Sequence, residues 1–211
     1  MPVAPLYKYR SLDNWKPVLD ILVNSRLYAA PFQSLNDPME GRYYYFGDAV
    51  KASFRKAILQ SKMRRNICSL SRAKHSTLLW SYYAAGHTGI ALGVQIRQAA
   101  GDNLEIRNVT YDSGVHIGPA EANKRPDVLA LNILTQKQQP WEHEKEVRVF
   151  APSNYVNVKL TEILLGCNIS AQDSKLVSAI ARKWHPRIRI TKIDRSTLDR
   201  PEAAEQRPRE A

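Results

Sequence analysis

Trp141-Glu142-His143-Glu144-Lys145-Glu146-Val147-Arg148 is the stretch on which the reading of this chain turns. Taken as an extended strand, it puts Glu142, Glu144, Glu146 and Arg148 on one face, because residues two apart point the same way. Like charges on one face repel, and burial raises their pKa values unless cations or hydrogen bonds compensate. Chemistry accepts that cost where one carboxylate stabilises a developing positive charge while another handles a proton. Two blander alternatives fit the same letters. One is an exposed edge strand guarded by its charge, and the other is a helix end on which Glu142 and Glu146 are neighbours.

Working outward, short strands and helices alternate without a regular βα rhythm. Residues 6–10 alternate apolar and polar and read as an opening strand, with Ser11 or Asp13 placed to cap a helix through Leu19, Leu22 and Val23. Residues 27–30 read as a second strand, closed by the turn Asn36-Asp37-Pro38. Val50, Phe54, Ala57 and Ile58 recur at helical spacing and predict an amphipathic helix over 48–65 with a basic outer face. Strands are expected at 67–71, 89–96, 105–111, 156–160, 163–166 and 187–193, and helices at 78–85, 127–134 and 171–184. The expected fold class is α+β: a single domain over 1–193 with a mixed, mostly antiparallel sheet core and flanking helices. From residue 194 the chain is rich in Pro, Glu, Arg and Ala with little to bury, and 194–211 is expected to be a disordered tail.

Two cysteines, Cys68 and Cys167, are too few for a disulfide framework, and no apolar run approaches the ~20 residues needed to span a bilayer. A cytoplasmic protein without a membrane partner is the expectation. The formal charge is +11, and because 194–211 carries four basic and five acidic residues, the body keeps 27 Lys+Arg against 15 Asp+Glu. Such a field favours polyanions: nucleic acid, nucleotide phosphates or an acidic protein surface. It also serves solubility.

Several side chains could carry chemistry. Arg10 and Lys8 share a face of the opening strand, and a guanidinium fork suits a phosphate or a carboxylate. Ser69 and Ser71 share a face opposite Cys68 and Leu70, able to orient a sugar or to support carboxylates, although solvated serines are commoner. Trp80, Tyr82, Tyr83 and His87 form an aromatic group on which a flat ligand could stack, Trp80 reading rather as core. His75, His116 and His185 lack ligand spacing, so no metal is expected. No GxGxxG, GxxxxGK[ST] or GxSxG occurs.

Strung together, these motifs resemble the bacterial domain-of-unknown-function 2971 family. The likeness runs from Leu6-Tyr7-Lys8-Tyr9-Arg10 through Leu35-Asn36-Asp37-Pro38-Met39-Glu40, Cys68-Ser69-Leu70-Ser71, Leu79-Trp80-Ser81-Tyr82-Tyr83, His87-Thr88-Gly89-Ile90 and the acidic strand to Ile163-Leu164-Leu165-Gly166-Cys167. The order Arg10, then Ser69 and Ser71, then Glu144 and Glu146 is similar, more distantly, to ADP-ribosyltransferases, although Cys-Ser-Leu-Ser stands where those enzymes have Ser-Thr-Ser. That resemblance implies an ADP-ribosyltransferase-like fold and an ADP-ribosyltransferase or NAD glycohydrolase activity with NAD as substrate. It implies that Arg10 grips the pyrophosphate or ribose, that Ser69 and Ser71 order the ribose and the acidic strand, and that Tyr82 or Tyr83 stacks on nicotinamide. Glu146 would stabilise the oxocarbenium-like transition state and Glu144 would activate the acceptor. A toxin or phage-defence effector is implied, with RNA or DNA as an anionic acceptor and an antitoxin-type protein as partner. Two alternatives stay open: a non-catalytic nucleic-acid-binding module using Lys51, Arg55, Lys56, Lys62, Arg64, Arg65 and the cluster from Arg182 to Arg189, and a metal-dependent nuclease using Asp37, Glu40 and the acidic strand.

Overall fold

In the computed structural model, which describes residues 4–199 apart from 36, 38 and 46–49, the chain opens with β1 (Leu6–Arg10) and α1 (Trp15–Asn24). The α1 cap is Asn14, whose side chain accepts from Lys16 N; Ser11 and Asp13 bond each other instead. Next come β2 (Arg26–Tyr28), β3 (Ala30–Pro31), β4 (Tyr43–Tyr45), α2 (Ala52–Met63), β5 (Asn66–Ser71) and α3 (Thr77–Tyr83), the last capped by Ser76. The middle of the chain supplies β6 (Ile90–Ile96), β7 (Glu105–Asn108), β8 (Thr110–Tyr111), β9 (Val115–Ile117), α4 (Pro126–Leu134) and β10 (Gln136–Lys137). A 3-10 turn, Gln139–Glu144, then leads into β11 (Glu146–Ala151), β12 (Tyr155–Leu165), α5 (Ala171–Trp184) and β13 (Arg189–Lys192).

Nine strands form the main sheet, in the order β13-β12-β6-β1-β5-β11-β7, with β2 added to β12 and β3 to β5. Its pairings are antiparallel except β12 with β13, and two small parallel ladders, β10 with β8 and β4 with β9, lie outside it. The expected α+β class with a mostly antiparallel sheet is therefore what the chain forms.

The centre of the sheet is a seam. β1 pairs with β6 along its whole length but with β5 at one register position, Tyr7 opposite Ser71. Beyond that pair the strands part, and the far end of β5 is taken up by β3. One face of the sheet carries Leu6, Cys68, Leu70, Leu92, Val147 and Val149 under α1 and α5. The opposite face is divided. At one side α3 packs the fully buried Trp80 edge-on against Tyr9, with ring centroids 5.2 Å apart. At the other, α4 covers Ile67 and Phe150 with Leu131 and Leu134. Between those apolar patches the register leaves a polar strip of Ser69, Ser71, Glu146 and Arg148.

The structure corrects several sequence expectations. The strand at 27–30 is two pieces that pair with different partners, β2 with β12 and β3 with β5. The strands at 156–160 and 163–166 are one, β12, with a register shift between Leu160 and Glu162. Asn36 and Pro38 of the turn, and the start of the helix expected from 48, lie outside the described residues. The body extends past Ile193: 195–197 form a 3-10 turn, Leu198 packs beside Trp80, and Asp199 Oδ1 accepts from Thr77 N at 2.9 Å. Among the described residues no helix is long and apolar enough to cross a membrane.

Gly89 is required where β6 begins, because a Cβ there would fall 2.2 Å from the carbonyl oxygen of Arg10. Gly89→Ala is therefore expected to lower the unfolding free energy by about 1–3 kcal/mol, the usual cost of overpacking, measured by urea denaturation. It should also displace the end of β1 that carries Arg10.

Candidate active site

The acidic stretch is not one strand. Pro140 sits in the first turn of the 3-10 segment, Lys145 ends that segment in the left-handed region at φ 43°, and the extended chain starts only at Glu146. The break relieves the repulsion that an unbroken strand would impose. Glu142 turns outward and is exposed, Glu144 turns inward, and Glu146 alone shares a strand face with Arg148. Ser71 holds the bend, its hydroxyl donating to the Glu144 carbonyl at 2.5 Å and accepting from Ala73 N at 2.9 Å.

Where β1 and β5 part, a cleft of about 250 Å³ opens, lined by Arg10, Ser69, Ser71, Tyr83, Glu144 and Glu146. Six of the seven residues singled out from the sequence are thus brought together. Tyr82 is the exception. It is 60% exposed on the outer side of α3, with its ring against Tyr83 and His143. Helical geometry explains this, since neighbouring helix residues point about 100° apart and only one of the pair can face the cleft.

One wall is a buried ion cluster. Arg148, with no exposed surface, donates to Glu146 at 2.8 and 3.0 Å, to Glu40 at 2.7 Å and to the Leu134 carbonyl at 2.6 Å. Lys137 Nζ lies 2.6 Å from Glu144, 3.3 Å from Glu40 and 3.5 Å from Glu146. Burial works to raise the Glu146 pKa, but Arg148 first and then Lys137 outweigh it and hold the carboxyl below its ordinary value. At Glu40 burial wins and the pKa rises despite Arg148. Glu144 accepts from Tyr83 Oη at 2.7 Å, and burial together with that bond pushes the phenol up, so it stays a donor.

The other wall is cationic. The Arg10 Nε is buried with no hydrogen-bond partner, and among the described residues no carboxylate pairs with its guanidinium. Lys8 donates to the Ser69 carbonyl across the seam at 2.7 Å. Burial, and then the neighbouring Arg10, bring its pKa down to about 8. Burying the Arg10 guanidinium with its Nε unpartnered is costly, and an anion entering the cleft would offset that cost.

No protein-family model matches the chain and no curated protein matches it, so the resemblance to the domain-of-unknown-function 2971 family rests on the motifs alone. Among solved structures, DarT of Thermus sp. 2.9 in complex with ADP-ribosylated ssDNA aligns with 92% of this chain and 96% of its own, at 12% identity and a TM-score of 0.42. A likeness this distant carries no argument for the site.

Three functional-looking residues escaped the sequence reading or were given another part. Lys137 came from a polar stretch with no visible pattern, Lys8 was noted only as Arg10's neighbour, and Glu40 was considered as a metal ligand. In the structure Lys137 and Arg148 stand among the carboxylates where a cation would bind. Among the described residues no group of three His, Cys, Asp or Glu side chains is placed to hold a metal ion.

Removing one member of a buried charge cluster leaves its partners uncompensated. Arg148→Met is expected to lower the unfolding free energy by about 3–5 kcal/mol, read by urea denaturation. Arg148→Lys should recover only part of it, since an ammonium cannot fork between two carboxylates.

Proposed function

We propose that the cleft binds NAD and that the protein transfers its ADP-ribosyl group to an anionic acceptor, or to water. The observation that carries this reading is one cleft lined by two unlike groups: Lys8 and Arg10 of β1, Arg10 with its Nε unpartnered, and the ion-paired carboxylates Glu40, Glu144 and Glu146. NAD needs both, since its pyrophosphate is anionic while its ribose becomes cationic as nicotinamide leaves. The orphaned Arg10 Nε fits a phosphate oxygen.

In this reading Arg10, aided by Lys8, holds the pyrophosphate, and the Tyr83 ring packs against nicotinamide. The bond between ribose C1′ and the nicotinamide nitrogen breaks, its electron pair leaving with nicotinamide. Glu146, kept ionised by Arg148 and bonded by the Ser69 side chain, accepts from the ribose hydroxyl and stabilises the oxocarbenium-like transition state. The acceptor attacks C1′ and gives its proton to Glu144. Ser71 acts on Glu144 by fixing the bend that aims it. Consumption of NAD, or modification of nucleic acid, would suit a toxin or a phage-defence effector.

Purified protein is expected to release nicotinamide from NAD, measured by chromatography, and Glu146→Gln to cut release at least about a hundredfold in protein that still melts cooperatively, at a lower midpoint because Arg148 loses a counter-charge. Intact NAD after long incubation with candidate nucleic acids would sink the proposal. Lys8 adds a pH signature. Its folded pKa of about 8 lies below its unfolded value, so the charged form is present below pH 8 and lost above it. NAD affinity, followed by calorimetry, should weaken as pH rises through about 8, and Lys8→Met should be weak and flat across that range.

A further inference from the structure

Beside the cleft lies a second concavity that the reaction does not use. It is an open groove of about 670 Å³ walled by β4 and α2. β4 is three tyrosines in succession, and Tyr44 and Tyr45 are 51% and 44% exposed. Tyrosines on a strand ordinarily bury most of their rings, so exposing two in a row needs a reason. Their surroundings are basic. The Arg55 guanidinium lies over the Tyr45 ring at 4.6 Å, Arg42 and Lys56 are exposed on the groove walls, and α2 contains no acidic residue. Alternation along β4 turns Tyr43 and Tyr45 toward α2, where Lys62 and Arg55 lie over their rings, and turns Tyr44 the other way, where it stacks on His116 with planes 19° apart. The buried Lys62 also donates to the Gly41 carbonyl at 2.7 Å.

We propose that this groove binds a single-stranded nucleic acid and delivers it to the cleft as the acceptor, a proposal that builds on the NAD reading above. Flat exposed rings offer stacking to unpaired bases, and flanking cations offer contacts to phosphates; the two together are what a single strand requires. A duplex hides its base faces and gains only the charge contacts. Position supports delivery. Met39 and Gly41 line the groove, while Glu40 between them lines the cleft, so the two cavities share one turn of chain. The net charge of +11 pulls in the same direction.

The test is fluorescence anisotropy with labelled 12-nucleotide DNA, RNA of the same sequence and the corresponding duplex, using the Glu146→Gln protein so that no turnover intervenes. Single strands are expected to bind more tightly than duplex, and the tighter of DNA and RNA identifies the acceptor's sugar. Tyr45→Ala should weaken Kd at least about tenfold, while Tyr45→Phe retains binding. Arg42→Ala with Lys56→Ala should make the slope of log affinity against log salt shallower by about 1.4, the value for two lost phosphate contacts on a single strand. Thermal melting of each variant separates loss of binding from loss of fold. Unchanged affinity in the folded tyrosine variant, or a duplex bound as tightly as either strand, would overturn the proposal. Nicotinamide release by the wild-type protein, assayed without nucleic acid, reports on the cleft separately, so failure of the groove and failure of the NAD reading are distinguishable.

Discussion

Arg148 is the residue through which the site is tied to the fold. It has no exposed surface, and its planar fork reaches Glu146 on its own strand, Glu40 from a loop 108 residues away, and the carbonyl that ends α4. Desolvating a guanidinium so completely is tolerable only with all three of its nitrogens engaged, as they are here, so each partner's position is fixed by the others. The polar strip between the two apolar patches exists because this charge must be satisfied there. The left-handed bend at Lys145 follows as well. With Glu146 committed to Arg148, Glu144 can share the cluster only if the chain turns before the strand begins.

The cleft's chemistry follows from where charge is compensated and where it is not. On the β11 side, carboxylates and cations balance nearly within hydrogen-bond distance, which holds Glu146 ionised despite burial. On the β1 side, Arg10 keeps its Nε without a hydrogen-bond partner, and Lys8 is held by the Ser69 carbonyl. A ligand anionic at one end and becoming cationic at the other is stabilised at both, and the field is already oriented before it arrives.

Much of this was legible in the sequence, for identifiable reasons. α5 was read at its observed bounds, Ala171–Trp184, because its apolar spacing is regular, and the structure adds a Ser170 cap bonded to Asp173. β5 and β6 were legible because buried strands are dense in apolar residues. The acidic stretch misled because alternation alone cannot see a 3-10 turn; Pro140 was the available warning. Tyr82 and Tyr83 could not be told apart without the helix phase. β4 and β9 were invisible because three-residue strands carry no periodicity. The chain order of Arg10, Ser69 and Glu146 was readable, but their meeting at one seam depends on β1 and β5 separating after a single pair, which is a property of the sheet rather than of any segment.

That single pair also governs how the molecule can be taken apart. The cleft draws on β1, the turn before β4, β5, α3 and the bend before β11, and its bonds span 61 to 108 residues of chain. No short contiguous piece holds both walls. Site and fold therefore rest on the same contacts between segments far apart in the chain, the kind that form slowly. A cut anywhere between Arg10 and Arg148 would have to be bridged by reassociation of the two fragments before the cleft could re-form.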